Sequence, residues 1–394
     1  MRRISSRLSC GILMIAIGAS IGSAPADAGL IINPVFADSY TGADLGIGPI
    51  VSLDGDAAVE SAIAAATTRI ESQFANNVTV NILFYGAHDT PNGFLGASVS
   101  GQTVYTYNQY TSALAADAAA NPLNHDIATA VANLSAGNGA SDPFGSYVAP
   151  TTADARVLGL NLGAPTAFGV GDSSPEFDAT GDYLGSGGTV DGIVFLNLDQ
   201  PLSYTRPIQP VSDGVAYDAQ QTMQHEIDEI LGIGGSGSTL NDLVNDANFA
   251  SDFFGVDGDV YGPLDLYRYS APGVPSYVAN PGFDPSQFAY FSIDGGDTFV
   301  DSFNQSAMAF GDAADWGLDL TQTCPGGQGV GGSGNVQDAF SCSNEYHNVS
   351  LHSPEGVALQ AVGYNPVPEP WTLLLFGTEL LVVAGLYARR KALN

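Results

Sequence analysis

Residues 225–229 read His-Glu-Ile-Asp-Glu and hold the side chains that metal-dependent hydrolysis requires. His225 and Glu229 are four positions apart, so on a helix both project from one face, one turn apart, where they can bind one metal ion. Glu226 lies beside His225, where its carboxylate can act as a general base on water without binding the metal. The spacing therefore predicts His225 and Glu229 as metal ligands and Glu226 as the catalytic base. The alternative is a solvated helix face with no ligand.

The motif lies in a segment that predicts a helix with defined ends. Asp218 can cap its N-terminus, the helix runs to about Leu231, and Gly232 or Gly234 can end it. Apolar side chains in the segment would bury the helix and fix the ligands: Met223, Ile227, Ile230 and Leu231. The apolar, β-branched run at residues 192–198 predicts a strand. We expect this strand to form the sheet edge, where it can hold an extended peptide by backbone pairing.

The remaining chain predicts helices and short strands. An Ala-rich segment, residues 56–74, has an apolar stripe at helical spacing, and residues 78–84 then alternate as a strand does. Further segments predict one short strand and four helices, at residues 95–99 for the strand and at 107–117, 126–134, 152–158 and 353–363 for the helices. Residues 234–348 predict mostly loop. This order of elements indicates an α+β fold.

Acidic residues dominate the charge, with 41 Asp and Glu against 10 Lys and Arg and a formal net charge of −31. Between residues 29 and 365 the basic residues are Arg69, Arg156, Arg206 and Arg268. Nucleic acid is therefore not expected as a partner, because phosphate binding requires Lys and Arg. The carboxylates can instead bind divalent cations, so calcium is one predicted ligand, at residues 257–259 or 294–297.

The N-terminal segment predicts export. It begins with basic residues and continues with an apolar run at residues 12–21 and a small-residue site, Ala26-Asp27-Ala28. This arrangement is typical of a secretory signal peptide, here over residues 1–28. Apart from Cys10 in the signal peptide, the chain has two cysteines, Cys324 and Cys342. In an exported protein this pair predicts one disulfide.

The C-terminal segment predicts a membrane span. Pro368-Glu369-Pro370 precedes an apolar segment at residues 371–387, and Arg389-Arg390-Lys391 follows it. We expect the apolar segment to be a transmembrane helix whose C-terminal, basic end stays in the cytoplasm. The three parts in this order, over residues 366–394, resemble the PEP-CTERM sorting signal of Gram-negative bacteria. The resemblance implies handling by the export and C-terminal sorting machinery, with transient inner-membrane anchoring before the protein reaches the cell surface or the outside.

A second resemblance covers roughly residues 50–365. An early helix, a strand and an edge strand, followed by Tyr217-Asp218 and by the pattern His225-Glu226-x-x-Glu229-x-x-Gly232, resemble the zincin metalloproteases, within them the metzincin or serralysin-like exported proteins. Downstream segments extend the resemblance: residues 265–270, 290–294, 303–305, 311–316 and 358–364. It implies that residues 29–365 form a zincin-like domain with a small twisted mixed sheet, an active-site helix and long loops. It also implies a zinc ion and a peptide or protein substrate.

The sequence departs from the metzincin pattern at its ligands. Glu229 stands at the place of the second His, Gly235 at that of the third, and no Met marks a Met-turn near the end of the domain. A third ligand must therefore come from elsewhere. Asp265, which heads a dense motif after a loop, is the first candidate, with His352 and Asp242 behind it. Two carboxylates at the ion would also make a harder ion such as Mn²⁺ conceivable.

These features predict an exported peptidase that hydrolyses peptide bonds with a metal-activated water. The alternative is a catalytically inactive matrix, adhesion or ion-binding protein on the same scaffold. The two readings differ in bound transition metal, which the enzyme requires and a calcium-stabilised scaffold does not.

Overall fold

A computed structural model describes residues 29–36, 47–89, 93–134, 147–161, 167–168, 190–209, 214–240, 249–276, 288–304, 312–317 and 334–368. Several predicted features lie outside these residues: the signal peptide (1–28), Asp242, Cys324, Glu369, Pro370 and the apolar segment 371–387. Cys342 lies inside them, but the Cys324–Cys342 disulfide stays a prediction. Within the described ranges, no helix is both long and apolar enough to cross a bilayer.

The strands are mostly short. In chain order they are β1 (Ile31–Phe36), β2 (Ile50–Ser52), β3 (Thr79–Ala87), β4 (Gly96–Gln102), β5 (Tyr105–Thr106), β6 (Tyr147–Val148), β7 (Ala167–Phe168), β8 (Gly192–Asn197), β9 (Leu202–Ser203), β10 (Tyr217–Asp218), β11 (Val260–Tyr261), β12 (Arg268–Ala271), β13 (Val274–Pro275), β14 (Tyr290–Phe291) and β15 (Asp301–Ser302).

The helices lie between groups of these strands. They are α1 (Ala57–Glu71), α2 (Tyr107–Ala120), α3 (His125–Asn133), α4 (Thr152–Val157), α5 (Ala219–Leu231), α6 (Phe249–Phe254) and α7 (Pro354–Ala361), with two 3₁₀ turns, η1 (Gly234–Gly237) and η2 (Pro263–Tyr267). The predicted α+β class is confirmed.

The main sheet is mixed and has six strands, in the order β1-β3-β8-β4-β7 with β2 also paired to β3. Strands β1, β3 and β8 are parallel, whereas β4 runs antiparallel to β8. The predicted strand at 192–198 exists as β8, but its predicted edge position is wrong. The strand lies between β3 and β4, and all six of its residues are buried, as is typical of a strand that is covered on both faces of the sheet.

Helices α1 and α5 pack against each other and, with the sheet, enclose the main core. The Asp56 carboxylate caps α1 by accepting hydrogen bonds from the amides of Ala58 and Val59. The apolar stripe of α1 is fully buried, as its spacing predicts: Val59, Ile63, Ala66 and Ile70. Burial of this stripe fixes α1, and α1 in turn supports α5.

Two parts of the fold differ from the sequence-based expectations. Strand β1 pairs in parallel with β3 although no strand was predicted there. The region predicted as mostly loop contains a four-stranded sheet, in the order β13-β12-β14-β15. Its strands have two to four residues, too few for a periodic pattern to stand out. The final helix does begin as predicted, with Ser353 as its cap and Pro354 in its first turn.

Candidate metal centre

Helix α5 forms one wall of the candidate centre, and its ends are those that the sequence predicts. The Asp218 side chain caps it by accepting from the Gln221 amide, and Gly232 ends it in the left-handed conformation with φ 109°. Met223, Ile227 and other apolar side chains of α5 are fully buried in the core. The helix is therefore fixed on several sides, and so are the polar side chains that it carries.

His225 and Glu229 project together from α5, as their spacing predicts. The distance from His225 Nε2 to Glu229 Oε1 is 3.6 Å, and that from His225 Nε2 to Asp315 Oδ1 is 3.8 Å. One donor atom from each of the three residues lies within 4.8 Å of the other two, the single such His, Cys, Asp or Glu group in the described chain. Glu229 and Asp315 are buried, whereas 16% of the His225 side chain is exposed.

The structure brings Asp315, and not Asp265, to the two candidate ligands on the helix. The Asp265 carboxylate accepts hydrogen bonds from Ser238 Oγ (2.6 Å), Thr239 N (3.2 Å) and Gly262 N (2.9 Å). It thus caps the η2 turn, and burial raises its pKa to about 6. His352 is exposed. Asp315 precedes the fully buried Trp316, which draws it into the interior, a local signal that motif spacing does not contain.

The donor atoms are oriented by a surrounding set of hydrogen bonds. His225 Nδ1 lies 3.0 Å from the Val336 carbonyl oxygen, which directs Nε2 toward the two carboxylates. Glu229 accepts from Ser98 Oγ of β4 (2.5 Å) and from the Gly235 amide (2.9 Å). Metal-binding histidines commonly donate their second ring nitrogen to a backbone carbonyl in this way, and ligating carboxylates are commonly hydrogen-bonded. The residues present therefore fit a metal ion.

Gly235 explains why the metzincin ligand pattern does not apply. A Cβ atom at this position would lie 2.7 Å from Asp312 Oδ2 and 2.8 Å from Glu229 Oε1. A histidine at this position would therefore have to displace these two carboxylates. In this chain the third donor, Asp315, instead comes from a separate segment.

Glu226 lies beside the donor group and does not belong to it. A Cβ atom on Gly96, the first residue of β4, would lie 2.6 Å from Glu226 Oε1, so the carboxylate rests against the start of that strand. Burial, and next the negative charge of Glu229, hold the Glu226 pKa well above its ordinary value. Glu226 and Glu229 therefore both contact β4, Glu226 at Gly96 and Glu229 at Ser98.

The metal-free site concentrates negative charge around one imidazole. Burial raises the pKa of Asp315 to about 7. Burial would raise the pKa of Glu229 too, but the charge of the nearby His225 and the hydrogen bond from Ser98 outweigh burial and lower it. Burial would lower the pKa of His225, but the charge of Asp315 and the contact with Glu229 raise it well above its usual range. A divalent cation would displace protons from this group and balance its charge.

The predicted calcium segments form no comparable group. Asp294 accepts hydrogen bonds from Ser292 Oγ (2.7 Å) and the Thr298 amide (2.8 Å), so its carboxylate caps a turn. Within the described ranges, neither this segment nor residues 257–259 brings three acidic or histidine donors together. Calcium binding stays a prediction.

Comparisons of this chain with protein-family models, with curated proteins and with solved structures gave no match. Its function must therefore be inferred from the arrangement of its own residues.

Proposed function

We propose that this chain is an exported, metal-dependent peptidase with a zincin-like fold. The observation that carries the proposal is the meeting of His225, Glu229 and Asp315 with Glu226 beside them. Three buried or half-buried donors within 4.8 Å of one another suit one divalent ion, and a third carboxylate, that of Glu226, stands outside the group. Export through the signal peptide and the C-terminal sorting signal belongs to the same proposal and rests on the sequence.

His225, Glu229 and Asp315 would hold the ion, with zinc as the first candidate. One imidazole and two carboxylates neutralise a divalent cation, and zinc accepts both nitrogen and oxygen ligands. When bound, the ion would polarise the scissile carbonyl and make water a better nucleophile at neutral pH. The hydrogen bonds from Ser98 and Gly235 to Glu229 would keep that ligand in place.

Glu226 would move the proton. Its carboxylate would accept a proton from the attacking water as the new C–O bond forms, and would pass that proton to the amine as the C–N bond breaks. The products are a carboxylic acid and an amine, with no net change in Glu226. Because Glu226 is not among the ligands, replacing it should stop the reaction without removing the ion.

Strand β4 is the candidate surface for an extended peptide. It pairs with β8 along residues 96–100, and on its other side β7 pairs only with Gly101 and Gln102. No other described strand pairs with β4, so backbone groups at 96–100 can accept a peptide as an added strand. The peptide would then pass Gly96, against which Glu226 rests.

The test measures bound zinc and hydrolysis of an unstructured protein such as casein. Glu226→Gln should retain zinc and lose hydrolysis, whereas Glu229→Ala and Asp315→Ala should lose both. His352→Ala, at an exposed histidine, and Asp297→Asn, at an exposed carboxylate, are the matched controls and should change neither. Wild-type protein without zinc after metal-replete purification would remove the proposal. Zinc binding without hydrolysis would favour the ion-binding scaffold instead.

A further inference from the structure

We infer that Gln337 is a fourth protein ligand of this metal site, through its side-chain carbonyl oxygen. The inference rests on the proposed metal site and extends its ligand set to a residue type that the spacing of acids and histidines does not reveal. Gln337 is fully buried and lies 112 positions from His225 in the chain.

The terminal amide of Gln337 already lies at the distance that separates neighbouring ligands. Its Nε2 atom is 3.1 Å from His225 Nε2 and 3.0 Å from Asp315 Oδ1. For metal–ligand bonds of about 2.1 Å, adjacent ligands are about 3.0 Å apart in an octahedron and about 3.4 Å apart in a tetrahedron. The amide therefore occupies a position next to two of the three other donors.

The Gln337 side chain points its Nε2 atom at the donor group, whereas a metal ion would bind its Oε1 atom. Without an ion, the Gln337 NH₂ group is the favourable one to point at the Asp315 carboxylate, to which it donates. Oε1 is buried and has no hydrogen-bond partner among the residues that the structure describes. Because the oxygen and nitrogen of an amide are nearly equal in size, rotation about the last side-chain bond exchanges them without moving the backbone. A cation would favour that rotation, because it attracts the carbonyl oxygen and replaces the NH₂ group as the positive partner of the Asp315 carboxylate.

The chain around Gln337 is built to hold this amide in the site. The backbone N–H of Gln337 donates to Glu355 Oε1 (3.0 Å), and the backbone carbonyl of Gln337 accepts from Trp316 N (2.8 Å). Its neighbour Val336 contacts the other nitrogen of His225 through its carbonyl oxygen. Gly234, with φ +56°, leaves the space that the amide fills, because a Cβ atom there would lie 2.1 Å from Gln337 Nε2. Consecutive residues thus face both nitrogens of the same imidazole.

The experiment measures metal binding by the full chain, with Zn²⁺ affinity from a competing chelator and the visible absorption spectrum of Co²⁺ as readouts. The Co²⁺ spectrum reports coordination number independently of any activity. The variants are Gln337→Leu, which removes the amide, Gln337→Asn, which shortens it by one methylene, and Gln337→Glu, which keeps an oxygen ligand. Gln102→Leu is the matched control, because Gln102 is also buried but donates only to the Ser236 carbonyl beside the site, at 3.4 Å.

We expect Gln337→Leu and Gln337→Asn to weaken Zn²⁺ binding roughly 10- to 100-fold and to change the Co²⁺ spectrum. Gln337→Glu should bind at least as tightly as wild type, and Gln102→Leu should match wild type in both readouts. If Gln337→Leu does not fold, as circular dichroism would show, Gln337→Asn decides the outcome. Unchanged or tighter binding with an unchanged spectrum would overturn the inference and leave the three-residue site intact. Absence of Zn²⁺ binding in wild type would overturn both.

Discussion

The two walls of the candidate metal centre are built in different ways. One wall is helix α5, which supplies His225 and Glu229 from a single element with buried apolar neighbours. The facing wall consists of irregular chain, at residues 312–317 and 334–338, which supplies Asp315 and Gln337. The helix positions its ligands through regular backbone hydrogen bonds and apolar burial. The irregular wall has to achieve comparable positioning with a small number of individual contacts.

Those contacts join the two irregular segments to each other and to α7. Trp316 N donates to the Gln337 carbonyl at 2.8 Å, and Ala339 N donates to the Trp316 carbonyl at 3.1 Å. Glu355, at the start of α7, accepts from the amides of Val336 and Gln337. We therefore expect the helix wall to tolerate the loss of one buried side chain and the irregular wall to lose the arrangement of its candidate ligands.

The largest expected effect comes from Trp316→Ala. This ring is fully buried and packs on Phe291 and Phe303, with ring centroids 5.5 and 5.6 Å away. We expect a loss of about 3–5 kcal/mol in the free energy of unfolding, measured by urea denaturation, and loss of Zn²⁺ binding because Asp315 is adjacent. Met223→Ala, in the core side of α5, should cost about 2–5 kcal/mol but keep Zn²⁺ binding. Equal metal loss in both variants would contradict the distinction between the walls.

A smaller effect should follow from Glu355→Leu. The substitution removes the acceptor for two buried amides, and hydrogen bonds to a charged group are worth about 1.5–3 kcal/mol each in stability. The substitution also removes the cost of burying this carboxylate, which offsets part of the lost stability. We therefore expect a net loss of about 2 kcal/mol in the free energy of unfolding, with weaker Zn²⁺ binding. Glu345→Ala, at a partly exposed acid, is the control. Full Zn²⁺ affinity in Glu355→Leu would show that Val336 and Gln337 are held by other contacts.

The same difference between the walls decides what the sequence can reveal. Asp218, Gly232 and the four-residue spacing of His225 and Glu229 are local features of one helix, so the helix and the meeting of these two side chains could be predicted. Asp315 and Gln337 reach the site through long-range packing, and the spacing of acids and histidines marks neither of them as a candidate ligand. Asp265 was the stronger candidate because it heads a dense motif, yet that motif describes the capping of a turn.

Two serines of β4 offer a finer test of how the helix wall is supported. Ser98 Oγ donates to the Glu229 carboxylate at 2.5 Å, whereas Ser100 Oγ lies 3.3 Å from the Glu229 backbone carbonyl oxygen. We expect Ser98→Ala to weaken Zn²⁺ binding roughly tenfold, the low end of the range for residues that orient a ligand. Ser100→Ala should leave Zn²⁺ affinity unchanged, since it does not touch the carboxylate. Equal affinities in the two variants would argue against orientation of Glu229 by Ser98.

The smallest expected effect is a difference between Asp315 and Glu229, one from each wall, in how they contribute to the stability of the metal-free protein. The pKa of Asp315 is raised to about 7, so the folded chain holds a proton that the unfolded chain has lost, and stability falls as pH rises from about 4 to about 7. The pKa of Glu229 is lowered, so its contribution to the stability of the fold is present above its ordinary pKa and is lost as pH falls.

In chelator-treated protein at pH 8, Asp315→Asn should therefore raise Tm relative to wild type and Glu229→Gln should lower it. Because water reaches charged buried sites and weakens their interactions, we expect the free energy of unfolding to differ from that of wild type by about 1 kcal/mol in each direction. Both variants remove one acidic partner of His225, so that shared change cannot produce shifts of opposite sign. Shifts of the same sign at pH 8 would show that the two carboxylates do not differ in the way their surroundings indicate.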